Sequence, residues 1–314
     1  MSESTMPDEK LATIGQPSHG VEIAYETFGD PGGRPLLLVM GLGGPMTWWP
    51  IDLCRRLADA GFYVIRYDNR DTGHSTRFRD LRVRRTDLVR AFLGRRVVVP
   101  YSLRDLAADA FGLLDHLGLD AGHVAGISMG GMIAQTMAIE QPGRVLSLTS
   151  IMSSTGSRRV GWQDPKLLPH LLRRTTRARE AYVQGSVDFW RLIASPGFPG
   201  TDEEARERAQ MTWERGVSLS GVMRQMLAVI TQRDRTEALH HLDVPTSVVH
   251  GLSDRMVHVS GGRATARAIP GAELTIVPGM GHDTPPELFG TFADAITRAA
   301  DRARTPGRHE GQVG

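Results

Sequence analysis

From Pro35 onward, short apolar runs, of which Leu36 to Met40 is uninterrupted, alternate with segments whose apolar residues recur every third or fourth position. An uninterrupted apolar run fits a strand buried on both faces, and the longer spacing fits a helix laid against it. The alternation therefore predicts an α/β fold, a mostly parallel central sheet flanked by helices. Leu36 to Met40, Tyr63 to Tyr67, His123 to Ile127, Val145 to Ile151, Thr246 to His250 and Leu274 to Val277 read as its strands. Ser102 and Asp105 form a capping-box pattern, and Leu103, Leu106, Ala107, Ala110, Leu113, Leu114 and Leu117 continue it as a crossover helix. Ile51 to Ala60, Met129 to Gln141 and Pro286 to Arg302 read as further helices.

The alternation stops after Ile151. From about Ser153 to His240 no strand pattern recurs, but Leu167 to Val183 and Thr201 to Thr231 have helical character. Strand-like runs then resume, so this stretch interrupts one sheet rather than following a finished domain. The organisation expected is an α/β core of residues 1–152 and 241–304, a helical cap inserted at 153–240, and a polar, disordered tail at 305–314. No internal repeat is present.

Composition adds limits. Apolar residues at 40% and charged residues at 23% exclude a disordered or fibrous chain. Lys+Arg at 37 against Asp+Glu at 35 is too balanced to imply a nucleic-acid partner. The single cysteine, Cys54, cannot form an internal disulfide and reads as a packing residue of its helix. Met1 to Lys10 lacks the basic region and apolar run of a secretory signal, and no stretch is apolar for long enough to span a bilayer. A cytoplasmic protein without stable membrane insertion is the expectation. Basic residues cluster at Arg82, Arg84, Arg85, Arg90, Arg95 and Arg96, and again at Arg173, Arg174, Arg177 and Arg179; solvated faces or loops are their ordinary reading.

Chemistry concentrates at three loops. Gly126-Ile127-Ser128-Met129-Gly130 matches the nucleophile elbow G-x-S-x-G between a strand and a helix, the context that lifts a serine hydroxyl above the sheet. A serine is a weak nucleophile without a base, and His282, in the glycine-rich loop after the last strand, is positioned to supply one. The imidazole in turn needs a carboxylate on its far nitrogen. Asp254 follows the Thr246 strand and gives the order Ser, Asp, His; the other customary position, after the strand ending near Met152, offers Ser153, Ser154 and Thr155 but no carboxylate. The backbone N–H groups of Leu42, in Met40-Gly41-Leu42-Gly43-Gly44-Pro45, and of Met129 are the candidate oxyanion hole.

Together these residues resemble the α/β-hydrolase superfamily over about Val21 to Ala300. Leu37-Leu38-Val39-Met40-Gly41, Arg66-Tyr67-Asp68-Asn69-Arg70-Asp71-Thr72-Gly73-His74-Ser75 and Gly279-Met280-Gly281-His282-Asp283 look like the aclacinomycin methylesterase and lipase-like carboxylesterase branch. The resemblance implies the α/β-hydrolase fold, hydrolysis of a small, apolar carboxylic ester through an acyl-enzyme, no metal or organic cofactor, and a cap that covers substrate. Two departures stand out: Met40-Gly41 replaces the His-Gly of many relatives, and Asp71 replaces a glycine of the Asp-x-Arg-Gly-x-Gly-x-Ser stretch.

Several readings share these motifs. A methylesterase acting on a polyketide-type ester, a cofactor-free perhydrolase, a carbon–carbon hydrolase and a prolyl aminopeptidase all use a serine triad, and a non-catalytic ligand receptor can be built on the same fold. Trp48, Trp49, Trp190, Trp213 and Met226 are the candidates for substrate contact; the aromatic residues of the inserted segment are equally candidates for its own core. The run Arg82 to Arg96, interleaved with Leu88, Phe92, Leu93 and Val97 to Val99, is expected to pack beside the cap as a short helix, with docking to anionic amphiphiles or membrane surfaces as the other reading.

Overall fold

The computed structural model describes residues 8–15, 20–167, 169 and 178–303. Its strands are β1 (Lys10–Ile14), β2 (Val21–Phe28), β3 (Arg34–Val39), β4 (Phe62–Tyr67), β5 (Gly122–Ile127), β6 (Val145–Ile151), β7 (Thr246–Gly251) and β8 (Glu273–Val277). They form one sheet in the order β1-β2-β4-β3-β5-β6-β7-β8. From β4 to β8 every neighbouring pair is parallel, as the alternation of apolar runs with helical segments predicted. The two N-terminal strands, which the apolar pattern did not disclose, add an antiparallel edge. They were hidden because β1 is short and only half buried, in the alternating manner of an edge strand.

Four core helices are α1 (Ile51–Asp59), α2 (Arg85–Phe92), α3 (Leu103–His116) and α4 (Met129–Glu140). Ser102 caps α3 as its pattern predicted, accepting from the Arg104 amide while Asp105 accepts from the Ser102 amide at 2.8 Å. Between β6 and β7 lie α5 (Arg179–Ile193), α6 (Asp202–Glu214), α7 (Leu219–Thr231) and α8 (Thr236–His240). The chain closes with α9 (Ser260–Ala268) and α10 (Phe289–Asp301). One apolar layer joins the sheet to α3, α4 and α9, and a second joins its other face to α1 and α10. Cys54 is buried in the second layer, and burial pushes its thiol up to about 12.

The stretch expected to be helical from Thr201 to Thr231 is two helices. Gly216 breaks it with φ +97°, a conformation that favours glycine, and Ser218 caps the second helix through the Gly221 amide. Of Leu167 to Val183, only the final turns of the expectation fall on α5; Arg173, Arg174, Arg177 and His170 lie outside the described residues, as does the tail 305–314. No helix among the described residues is long and apolar enough to cross a membrane.

Candidate active site

Ser128 joins β5 to α4 with φ +58° and ψ −119°, a strained backbone for a residue with a side chain. The turn is held from the neighbouring strand: the Ser128 amide donates to Ile151 O at 2.9 Å, and Ser153 Oγ donates to Ser128 O at 2.8 Å. Tight packing makes the glycines necessary, since a Cβ on Gly130 would lie 2.0 Å from Val39 O. Ser153, at the position that offered no carboxylate, therefore braces the elbow.

Asp254 follows β7 and His282 follows β8, so both loops open at the same carboxyl edge of the sheet as Ser128. His282 Nδ1 lies 2.8 Å from Asp254 Oδ2. Asp254 Oδ1 accepts the amides of Met256 at 2.9 Å and Val257 at 2.8 Å, and the carboxylate is fully enclosed. Burial acts to raise its pKa, but the charge of His282 and the hydrogen bonds of His250 and His282 outweigh it and hold the carboxyl below its ordinary range. An ionised Asp254 can only accept, so Nδ1 is the donor of this hydrogen bond. Among the described residues the Ser128 hydroxyl makes no hydrogen bond to this imidazole; nucleophile–base contacts often tighten only around bound substrate.

The histidine loop is clamped by the inserted segment. Ile193 O, at the end of α5, accepts the His282 amide at 2.7 Å, and Ser195 Oγ accepts the Gly281 amide at 2.8 Å. The Ser195 amide and hydroxyl both donate to Asp283, whose carboxyl is raised by burial despite them. His250, fully buried on β7, donates through Nε2 to Val257 O at 2.7 Å and lies 3.4 Å from Asp254 Oδ2.

The loop after β3 crosses directly over the elbow: a Cβ on Gly41 would sit 3.2 Å from that of Ser128. Among the described residues neither the Leu42 nor the Met129 amide donates to another group. Gly43, with φ +67°, donates its amide to Gln225 Oε1 at 2.8 Å. Gln225 Nε2 reaches Arg70 O at 2.8 Å and Thr72 Oγ1 at 2.9 Å, tying α7 to both the β3 loop and the β4 loop. Asn69 Nδ2 holds Met40 O at 2.9 Å, and Asp68 accepts the amides of Met46 and His74 and the guanidinium of Arg215. Asp71, where a glycine was expected, keeps the left-handed backbone, φ +69°, and is bound by Arg224 at 2.6 and 2.7 Å and by Tyr101 at 2.7 Å.

The candidate substrate residues divide. Trp48 is half-buried, bonds Thr212 through Nε1 at 2.9 Å, and meets Trp190 edge to face at 5.3 Å. Trp213 packs on Tyr182 and Met226 is half-buried on α7. Trp49 corrects the expectation: it is fully buried in the layer of Leu53, Leu57 and Phe292, against which Trp48 packs only at the edge. An open cavity of about 750 Å³ beside Asp254 is lined by Trp162, Leu252, Ser253, Arg255 and His258 among others, but not by Ser128 or His282. Gln225, Ser195 and His250 were missed in the sequence. Their only signal was a polar residue inside an apolar stretch, as in Val222-Met223-Arg224-Gln225-Met226-Leu227.

The sequence model of the alpha/beta hydrolase fold matches residues 34–287. The chain is 29% identical to a rhodomycin D methylesterase of Streptomyces peucetius over 89% of this chain and 96% of that protein. It is 27% identical to a non-heme haloperoxidase of Rhodococcus erythropolis over 84% of this chain and 90% of that protein. The enol-lactonase of Burkholderia xenovorans LB400 superposes with a TM-score of 0.71 at 20% identity, covering 93% of this chain and all of that one, a likeness of fold. With a family match over most of its length and the strand order and elbow described above, this chain belongs to the α/β-hydrolase fold family.

Proposed function

We propose that this chain hydrolyses carboxylic esters with Ser128 as nucleophile, His282 as base and Asp254 as the carboxylate that orients it. The observation that carries this reading is the 2.8 Å contact between His282 Nδ1 and the enclosed Asp254 carboxylate, at the sheet edge where the strained elbow presents Ser128. Ser128 Oγ attacks the ester carbonyl carbon while His282 Nε2 takes the hydroxyl proton. The amides of Leu42 and Met129 receive the oxyanion. As the bond to the alcohol breaks, His282 returns the proton to the leaving oxygen. Water then attacks the acyl-enzyme with His282 again as base, releasing the acid and restoring Ser128. Asp254 stays ionised throughout.

In this reading residues 153–240 cap the site. The bonds from Ile193, Ser195 and Gln225 to the histidine and oxyanion loops support that assignment, and Trp48, Trp190, Trp213 and Met226 border an apolar substrate pocket. The similarity to a rhodomycin D methylesterase favours a methyl ester of polyketide type. Similarity to a non-heme haloperoxidase favours, as a second reading, interception of the same acyl-enzyme by hydrogen peroxide to give a peracid.

The test is Ser128→Ala assayed for methanol release from aromatic methyl esters and for p-nitrophenyl ester turnover. Loss on the order of a millionfold in kcat is expected. Near-normal turnover in that variant would reject the mechanism, and peracid formation outpacing hydrolysis would favour the second reading.

A further inference from the structure

We propose that residues 81–98 form a docking surface for anionic lipid bilayers. Among the described residues ten large apolar side chains are strongly exposed, and five of them fall in this one stretch: Leu81, Val89, Phe92, Leu93 and Val98, the last at 90%. Scattered exposed apolar residues are ordinary, but a concentrated set marks an interaction surface. Six exposed arginines stand among them, and five of these, Arg82, Arg84, Arg90, Arg95 and Arg96, make no ion pair with another described residue. The stretch contains a single carboxylate, Asp87, which accepts the Arg84 amide at 2.8 Å.

The patch is held in shape. Ala91 is buried where α2 packs against α7, so the opposite side of the helix is fixed toward solvent. Arg158 donates to Phe92 O at 3.0 Å and Ala91 O at 3.1 Å, satisfying the C-terminal carbonyls. Gly94, with φ +73°, ends the helix, and the Arg95 amide returns to Arg90 O at 2.8 Å. Val89, Phe92 and Leu93 are thus presented by a terminated helix.

Exposed apolar side chains interspersed with exposed arginines match a layer with anionic headgroups above and hydrocarbon below. An eight-residue helix is too short to cross such a layer, so the contact is peripheral. Because α7 also carries Gln225, which holds Gly43, the docked face lies one helix away from the candidate active site. This surface stands independently of the ester-hydrolysis reading, and its test needs no turnover.

Full-length protein is sedimented with vesicles of phosphatidylcholine alone or mixed with phosphatidylglycerol. Binding to the mixed vesicles at low salt is expected, falling as salt rises. Two variants, Phe92→Ser/Leu93→Ser and Arg90→Glu/Arg95→Glu/Arg96→Glu, are each expected to weaken it by roughly tenfold or more. Their circular dichroism and melting temperature should match wild type, which separates lost docking from lost folding. The proposal is overturned by absence of binding, by equal binding to both vesicles, or by binding unchanged in both variants. It is also overturned if light scattering finds a dimer that Phe92→Ser/Leu93→Ser dissolves, since the face then belongs to a second copy.

Discussion

Gln225 accepts the Gly43 amide hydrogen at 2.8 Å, so a helix of the inserted segment holds the loop that carries Leu42 over Ser128. The side chain that the His-Gly pattern of relatives would supply is here Met40, a buried thioether with no hydrogen to donate. Asn69 and Gln225 brace the loop from outside it.

Replacing Gln225 by leucine should therefore lower kcat by roughly tenfold to a hundredfold if Leu42 donates to the oxyanion as proposed, because a small displacement of such a donor weakens transition-state binding more than substrate binding. KM should change little. Steady-state kinetics on a p-nitrophenyl ester would show the split, and a rise in KM at constant kcat would assign Gln225 to substrate contact instead.

Asp254→Asn tests the orientation of the base. An amide cannot hold the Nδ1–H tautomer as an ionised carboxylate does, and a loss in kcat on the order of ten-thousandfold is expected. Labelling by a fluorophosphonate should slow in parallel. Labelling at the wild-type rate would remove Asp254 from the mechanism.

The buried pair Asp71–Arg224 is a stability prediction. Burial acts to raise the Asp71 carboxyl, but Arg224, Tyr101 and the Phe78 amide together hold it below the ordinary carboxylate range. Arg224→Met leaves that charge uncompensated and should cost about 3–5 kcal/mol in urea unfolding. Adding Asp71→Asn, which tolerates the left-handed backbone, should recover part of the loss. Simple additivity of the two effects would mean that the residues are not coupled.

His123 gives stability a pH dependence. Burial, helped by the charge of Arg34, lowers its imidazole from 6.5 to about 4, and Nδ1 lies 2.9 Å from Ser147 Oγ. A folded pKa below the unfolded one means that the unfolded chain takes up the proton first. The contribution is then complete above about pH 6.5 and is lost as the pH falls toward about 4. Its size is about 3 kcal/mol. Unfolding free energies measured across that window should fall in wild type and fall less in His123→Gln; equal slopes would sink the assignment.

Much of this was legible along the chain. The apolar runs disclosed the six parallel strands, since burial on both faces keeps most positions of the central strands apolar. The elbow glycines and the order of the candidates Ser128, Asp254 and His282 were equally plain, because each lies in a short glycine-containing loop directly after an apolar strand. What the tertiary structure decided were the pairings between distant polar residues. Gly43 and Gln225 are 182 positions apart, and Asp71 and Arg224 are 153 apart. In sequence Gln225 and Arg224 are polar interruptions of an apolar helix, and only packing of α7 over the β3 and β4 loops supplies the partners that burial demands. Trp48 and Trp49 are likewise indistinguishable as neighbours in the chain; packing buried Trp49 fully and left Trp48 half-buried at the edge of the same layer, against Trp190. Local periodicity is encoded by adjacent residues, whereas the partner of a buried polar group depends on where the whole chain has gone.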